Sequence, residues 1–243
     1  MQMPGGFVKA KIKASELKEV LDAVSKIAEI ATLEIEKDGM ATKVVNDSNT
    51  IMMSVDIPSS AFEYFEADGG EITINLVRFL DLVSVAGKDD VLCLEIVQHG
   101  DKKQLEIGIG QLKYHMALLA PEAARKVPKV PEFDLPALVA LGGSEFRHVV
   151  KAADRVSDDV GGLVTLGMDD EAFFVHAKDS IEELEFRKPI TQLARCKPGG
   201  ARSTFGLAYL WNMSRASEKS NEVVLEIGID YPLLMKFDLE GAR

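Results

Sequence analysis

Nowhere in the 243 residues do about eighteen apolar residues run together, the length a membrane-spanning helix requires. The opening Met1-Gln2-Met3-Pro4-Gly5-Gly6 has no basic stretch followed by an apolar one, so no secretory leader is expected and a cytoplasmic location is. Cysteine is scarce: Cys93 and Cys196 stand in unrelated settings, which fits a reducing interior and argues against a disulfide framework. Arg195 and Lys197 flank Cys196, but neither cysteine stands in a pattern that marks a nucleophile. His99, His115, His148 and His176 share no metal-ligand spacing, so neither a metal nor a cofactor is expected. Walker A, Gly-x-Gly-x-x-Gly and His-Glu-x-x-His patterns are all missing. Acidic groups such as Asp158-Asp159, Asp169-Asp170-Glu171 and Glu182-Glu183 read as turns or solvated strand faces. Sequence does not show spatial pairing, so an enzyme with carboxylates assembled across a sheet stays as one alternative. Positive charge is also in deficit. With 28 Lys and Arg against 39 Asp and Glu, the net charge is −11. The chain as a whole repels nucleic acid, and any DNA contact must come from a local basic surface.

What is present is a duplication. Leu92-Cys93-Leu94-Glu95-Ile96 returns as Val223-Val224-Leu225-Glu226-Ile227, and the helix-like segments upstream begin at Leu76 and Leu207, an offset of 131 in both cases (207 − 76). Ser15-Glu16-Leu17 and Ser144-Glu145-Phe146 pair at 129 (144 − 15). Periodicity predicts helices over 15–28, 76–86, 144–156 and 207–216, with Ser15 capping the first. Alternating or short apolar runs predict strands over 7–12, 31–36, 40–45, 51–57, 71–75, 91–98, 104–109 and 112–119. In the second unit they predict strands over 137–141, 163–168, 172–177, 181–186, 202–205, 222–229 and 233–239. Few helices among many strands read as α+β with antiparallel sheets. The expected division is a first domain over 1–119, a connector over 120–136 and a second domain over 137–243. Pro121, Pro128, Pro131 and Pro136 make the connector an extended crossing. Its Val127, Val130, Phe133 and Leu135 either tack it to the sheets beneath or line a partner groove. The last strand of the first unit begins at Lys113; 131 residues on lies 244, so the second unit is expected to lack its final strand.

One local signal runs against the overall charge. On the helix from Ser144, Arg147, His148, Lys151 and Arg155 are expected opposite the apolar stripe, side by side at spacings of three, four and seven. Arg215, with Lys219 just beyond, marks the helix from Leu207, Lys18 the first helix and Arg78 the second. Each is an ordinary solvated face taken singly; their recurrence on several outward faces is what suits phosphates without reading bases.

In this order, the residues resemble the sliding clamps of the proliferating cell nuclear antigen (PCNA) type in its archaeal form. The likeness rests on Ser15-Glu16-Leu17-Lys18-Glu19-Val20-Leu21, on Val45-Asn46-Asp47-Ser48-Asn49-Thr50-Ile51-Met52, on the connector from Lys126 to Leu135 and on Asp230-Tyr231-Pro232-Leu233. The resemblance implies the DNA clamp fold: two pseudo-repeated α+β domains, sheets outside, helices lining a ring of three subunits that is a homotrimer in most members and a heterotrimer in some. It implies no catalysis and no cofactor. It implies tethering of DNA polymerase, flap endonuclease and ligase through a short peptide, and opening by a clamp loader. DNA-facing residues are then Lys18, Arg147, His148, Lys151, Arg155, Arg215 and Lys219, with Arg78. The partner-peptide pocket is Val45, Asn49, Met52, Val127, Val130, Pro131, Phe133 and Pro232. The subunit contact pairs the strand of Leu112, Tyr114 and Met116 with a neighbour's strand of Ile181, Leu184 and Phe186. Asn49 stands where many members have His, and Trp211 where archaeal members carry a polar residue; it packs inward or makes a contact of its own. A clamp-like checkpoint or interaction module with no replication role is a second alternative.

Overall fold

The computed structural model describes residues 7–100, 102–129, 133–156 and 162–239. The chain divides into two compact units, the first reaching to Pro128 and the second running from Lys129 to Asp238.

The first unit runs β1 (Val8–Lys13), α1 (Ala14–Ser25), β2 (Ile30–Glu36), β3 (Gly39–Val45), β4 (Met52–Pro58), β5 (Tyr64–Ala67), β6 (Gly70–Asn75), α2 (Leu76–Val83), β7 (Val91–His99), β8 (Lys102–Ile109) and β9 (Leu112–Ala117). Two antiparallel sheets result, in the orders β5-β1-β7-β8-β9 and β4-β3-β2-β6. The alternation of Val8-Lys9-Ala10-Lys11-Ile12-Lys13 does what a period of two demands: the apolar residues are buried and the three lysines exposed. Leu17, Val20, Leu21 and Val24 of α1 and Phe79 and Val83 of α2 are buried in the same core. Each large side chain fully buried in this way is worth roughly 1.5–3 kcal/mol.

The second unit runs β10 (Ala137–Leu141), α3 (Gly143–Val156), β11 (Leu163–Met168), β12 (Ala172–Lys178), β13 (Glu183–Pro189), β14 (Cys196–Lys197), β15 (Ala201–Gly206), α4 (Leu207–Ala216), β16 (Val223–Ile227) and β17 (Leu234–Phe237). Its sheets have the orders β14-β10-β16-β17 and β13-β12-β11-β15. Phe146, Val149, Val150 and Ala153 of α3 and Leu207 and Leu210 of α4 close over Val139, Leu166, Phe173 and Leu225. The repeat is structural, down to register: Ile12 pairs with Leu92 in the first unit, and Leu141 with Val223 in the second. The first unit has a fifth strand, β9, beyond β8; among the described residues of the second, the matching sheet stops at β17.

Three local expectations need correction. Ser15 does not cap α1. The helix begins at Ala14, whose N–H donates to the Asp90 carbonyl at 2.7 Å, so a loop carbonyl supplies what a side chain was expected to. The second helix ends at Val83, where Ser84 turns its N–H and its hydroxyl back to the Asp81 carbonyl; Asn75 caps the other end by accepting from the Arg78 N–H. Ile181 lies in a turn before β13, its N–H held by the Asp179 carboxylate at 2.7 Å. Short strands β5 and β14 lacked a signal because each is too short to show a period.

Candidate functional site

Helices α3 and α4 pack side by side, and their approach is unusually close at one end. A Cβ on Gly143 would fall 2.0 Å from the Ser217 carbonyl oxygen, which only glycine permits. The turn after α4 is fixed there as well: Gly143 N–H donates to the Ser220 carbonyl, and Ser220 N–H to the Ser217 carbonyl. On the outer side, His148, Lys151 and Arg155 of α3 and Arg215 of α4 are exposed, as is Lys219 in the turn.

Arg147 does not belong to that exposed set. It is 5 % exposed and lies between the two helices. Its guanidinium sits 3.9 Å over the Trp211 ring, and Nη1 donates to the Ser214 hydroxyl at 3.0 Å and to the Trp211 carbonyl at 3.3 Å. Burial pushes its pKa below the ordinary guanidinium value, while the nearby Glu218 carboxylate pulls it back. The reason for the misplacement is geometric. Gly143 and Val150 lie one turn to either side of Arg147 on the helix, and both are buried. A helix that packs on a neighbouring helix as well as on a sheet buries a wider stripe than the sheet alone requires. Trp211 accordingly packs inward, half-buried against the core of the unit.

The outward cations are not bare. Lys151 Nζ lies 3.4 Å from Glu218, whose other oxygen is 3.6 Å from Arg147 Nε. In the first unit, Lys18 is half-buried with Nζ 3.5 Å from the Ala86 carbonyl, Lys26 pairs with Asp22 at 2.7 Å, and Arg78 with Asp81 at 2.9 Å. Sequence reading missed Glu218 and Ser214. Their signal was faint: an acid just past an arginine-bearing helix, and a serine on a buried face.

The residues expected to hold a partner peptide divide between the units. In the first, Asn49 is exposed in the left-handed conformation (φ 55°), at the turn closed by Asn46 Oδ1 accepting from the Thr50 and Ile51 N–H groups. Met52 is exposed, Val127 half-buried, and Arg125 reaches Asp47 at 3.1 Å. Val45 is 2 % exposed and belongs to the core, because β3 turns that side chain inward; it offers no contact surface. In the second unit, Phe133 stands edge-on to Tyr231, ring centroids 5.7 Å apart, beside exposed Pro232. Val130 and Pro131 lie outside the described residues.

Strands β9 and β13 are sheet edges, so one side of each backbone ladder is unpaired within its sheet. Leu112 is exposed and Tyr114 half-buried, but Met116 is buried in its own unit, as the inward half of the alternation dictates. Leu184 and Phe186 are half-buried against the core, while Ile181 in the preceding turn is exposed. The outward side chains are Lys113 and His115 on β9 and Glu183, Glu185 and Arg187 on β13. At the far end of β13, Asp169 accepts from Arg187 and from the Glu171 and Ala172 N–H groups, which together hold its carboxyl down at about 2.

Among the described residues no group of three or more His, Cys, Asp or Glu is arranged to hold a metal, and no helix is long and apolar enough to cross a membrane.

Residues 7–110 match the family described as proliferating cell nuclear antigen, N-terminal domain. A DNA polymerase sliding clamp of Methanothrix thermoacetophila is 43 % identical over 96 % of this chain and 93 % of its own length. The chain belongs to the DNA polymerase sliding clamp family. A second member, from Methanocella arvoryzae, is 35 % identical over 97 % of this chain and 94 % of its own. Among solved structures, A. fulgidus PCNA bound to the C-terminal region of FEN-1 superposes with a TM-score of 0.87 at 27 % identity, covering 97 % of this chain and 94 % of that one. The two units with their paired helices are therefore clamp domains, and Arg147 and Trp211 form a lock within the second of them.

Proposed function

We propose that this chain is a sliding-clamp subunit that closes with two others around duplex DNA and tethers DNA polymerase and other DNA-processing proteins. The observation that carries the reading is identity of 43 % over nearly the whole chain to a protein named for that role, on a fold that repeats one clamp domain twice. The subunit is a processivity factor with no reaction of its own, working in the cytoplasm on chromosomal DNA.

The DNA-facing surface is built from His148, Lys151, Arg155, Arg215 and Lys219 of the second unit, with Lys18 and Arg78 from the first; Arg147 supports it from beneath. Loose phosphate contact suits sliding, since tight contact pins the ring. The candidates for holding partner peptides are Asn49, Met52 and Val127 on the first unit, Phe133 and Pro232 on the second, and Val130 and Pro131 in the connector. Apolar anchors of a helical turn fit such a surface, and the A. fulgidus clamp in complex with FEN-1 supports it. Neighbours join edge to edge, β9 of one to β13 of the next. The two edges differ, so the contact is heterologous and closes by angle. Lys113 and His115 stand on one edge, beside Glu106 of their own sheet, and Glu183, Glu185 and Arg187 on the other, so both edges offer charges of either sign.

Light scattering of the purified chain near physiological salt, combined with primer extension by a family B polymerase, tests the reading. A trimeric mass and longer extension products are expected. A strictly monomeric species at high concentration, with unchanged product length, overturns it.

A further inference from the structure

The Glu218 carboxylate faces two cations at once, Lys151 Nζ at 3.4 Å from one oxygen and Arg147 Nε at 3.6 Å from the other. One of these cations is on the exposed face; the other is buried, and its Nε has no hydrogen-bond partner. The position is built rather than incidental. Glu218 rides on the turn after α4, pinned by Ser217 and Ser220, which are 0 % and 6 % exposed, and by the bond from Gly143 N–H to the Ser220 carbonyl. An acid just past a helix C-terminus is disfavoured by the helix dipole, and the two cations beside it offset that cost. Two anionic oxygens offered to a lysine and an arginine are what a phosphate offers.

We propose that Glu218 is a built-in competitor for DNA phosphate, occupying the place on Lys151 that a backbone phosphate takes when duplex enters. The inference rests on the reading of the α3 face as DNA-facing. Its consequence is a contact that is weak by design. Each phosphate that reaches Lys151 must displace a carboxylate already there, so part of the Coulomb gain is cancelled, and the carboxylate returns as the phosphate leaves. Arg147 keeps the competitor within reach, because its buried guanidinium cannot itself follow the DNA. The same arrangement lets an acidic protein present a basic face without holding DNA fast.

The test is fluorescence anisotropy of a labelled linear duplex of random sequence against the full chain, across a range of potassium chloride. Four proteins are compared with the parent: Glu218→Gln, Glu222→Gln, Lys151→Ala, and Lys151→Ala combined with Glu218→Gln. Gln is isosteric and keeps an oxygen beside Arg147 while removing the charge. Glu222, which pairs with Arg195 instead, controls for the change in net charge. Glu218→Gln is expected to tighten binding about three- to fivefold at low salt, the scale of one exposed ion pair. It also steepens the log–log salt slope by up to about 0.9, one more phosphate neutralised. Glu222→Gln does less, and the gain disappears when Lys151 is absent. If Lys151→Ala weakens binding while Glu218→Gln fails to tighten it, or tightens it no more than Glu222→Gln, the competitor is overturned and the DNA-facing reading stands. If Lys151→Ala leaves affinity and salt slope unchanged, the DNA-facing reading of α3 falls, and the competitor with it.

Discussion

The fifth residue of the first helix in each unit is a cation that reaches across to the second helix or the turn just after it, and the two units settle it in opposite ways. In the first unit it is Lys18, half-buried, its ammonium 3.5 Å from the Ala86 carbonyl and still open to water. In the second it is Arg147, buried, under Trp211 and bonded to Ser214. The positions correspond by the same 129-residue offset that separates Ala14 from Gly143 (143 − 14). Where Arg147 finds Trp211 and Ser214, the offset of 131 gives Leu80 and Val83. A lysine tip escapes to solvent over an apolar helix, whereas a guanidinium kept inside needs an aromatic face and a hydroxyl. One inherited geometry thus gives a plain solvated flank in one unit and a polar lock in the other. The lock permits close packing, and the same contrast appears at the helix starts: Ala14 tolerates its Cβ, while Gly143 has no room for one.

The sharpest way to break this comparison is at those two starts. Gly143→Ala pushes a methyl into a backbone carbonyl that other bonds hold, so a loss of about 2–3 kcal/mol is expected in urea denaturation. The reciprocal Ala14→Gly costs about 1 kcal/mol, from backbone entropy and a lost methyl contact. Equal losses abolish the claim that the second pair is the tighter one.

The next largest effect is on the lock. Arg147→Ala is expected to cost about 2 kcal/mol, because it leaves a void beside Trp211 and removes the donor to the Ser214 hydroxyl, which keeps only its own bond to the Trp211 carbonyl. Arg147→Met, which refills the volume, recovers most of it. Lys18→Ala costs no more than about 0.5 kcal/mol, as surface changes do. Matching losses at 18 and 147 in thermal or urea melts mean that burial is not the difference.

A functional contrast follows. Lys151→Ala with Arg155→Ala leaves stability intact and lowers DNA affinity about fivefold at low salt, with the salt slope falling by up to about 1.8. It also shortens primer-extension products. Lys18→Ala, whose side chain is partly committed to its own unit, does less. An unchanged salt slope in the double variant removes these residues from the DNA-facing set.

The smallest effect concerns the hairpin turns. In the second unit, Asp169 closes the β11–β12 turn with its carboxylate, held at about 2 by Arg187 and two backbone N–H groups. In the first unit, the β2–β3 turn relies on Gly39 at φ 150°, where a Cβ would fall 2.2 Å from the Ile57 carbonyl oxygen. The folded pKa of Asp169 lies below the unfolded one. Its contribution is therefore complete above the usual carboxylate range and is lost as pH falls through about 2. Asp169→Asn should melt slightly below the parent at neutral pH, and the gap should close between about pH 4 and 2. A gap that persists at the acid end assigns the effect to something other than ionisation.

Much of this was legible in the chain. The 131-residue offset announced the repeat, and α4 lies where the 3.6 period put it, because a one-sided apolar stripe has only one way to sit on a sheet. Short-range patterns carried β1, β3 and β12 for the same reason. What escaped was what depends on a second partner. Arg147 reads as solvated on its own helix and becomes buried only because α4 covers its flank. Val45 and Met116 look available in a motif or an edge strand, yet their alternation turns them inward. The α1 start was assigned to Ser15, but a loop carbonyl at Asp90 satisfies Ala14 from far along the chain.

Periodicity, offset and charge balance belong to the sequence alone. They determined two α+β units and an acidic body on which any basic face must be local. Which cations face outward, which carboxylate answers Lys151 and which edges stay open were decided by tertiary packing. Burial and ion pairing depend on neighbours hundreds of atoms away along the chain, and no local pattern encodes who those neighbours are.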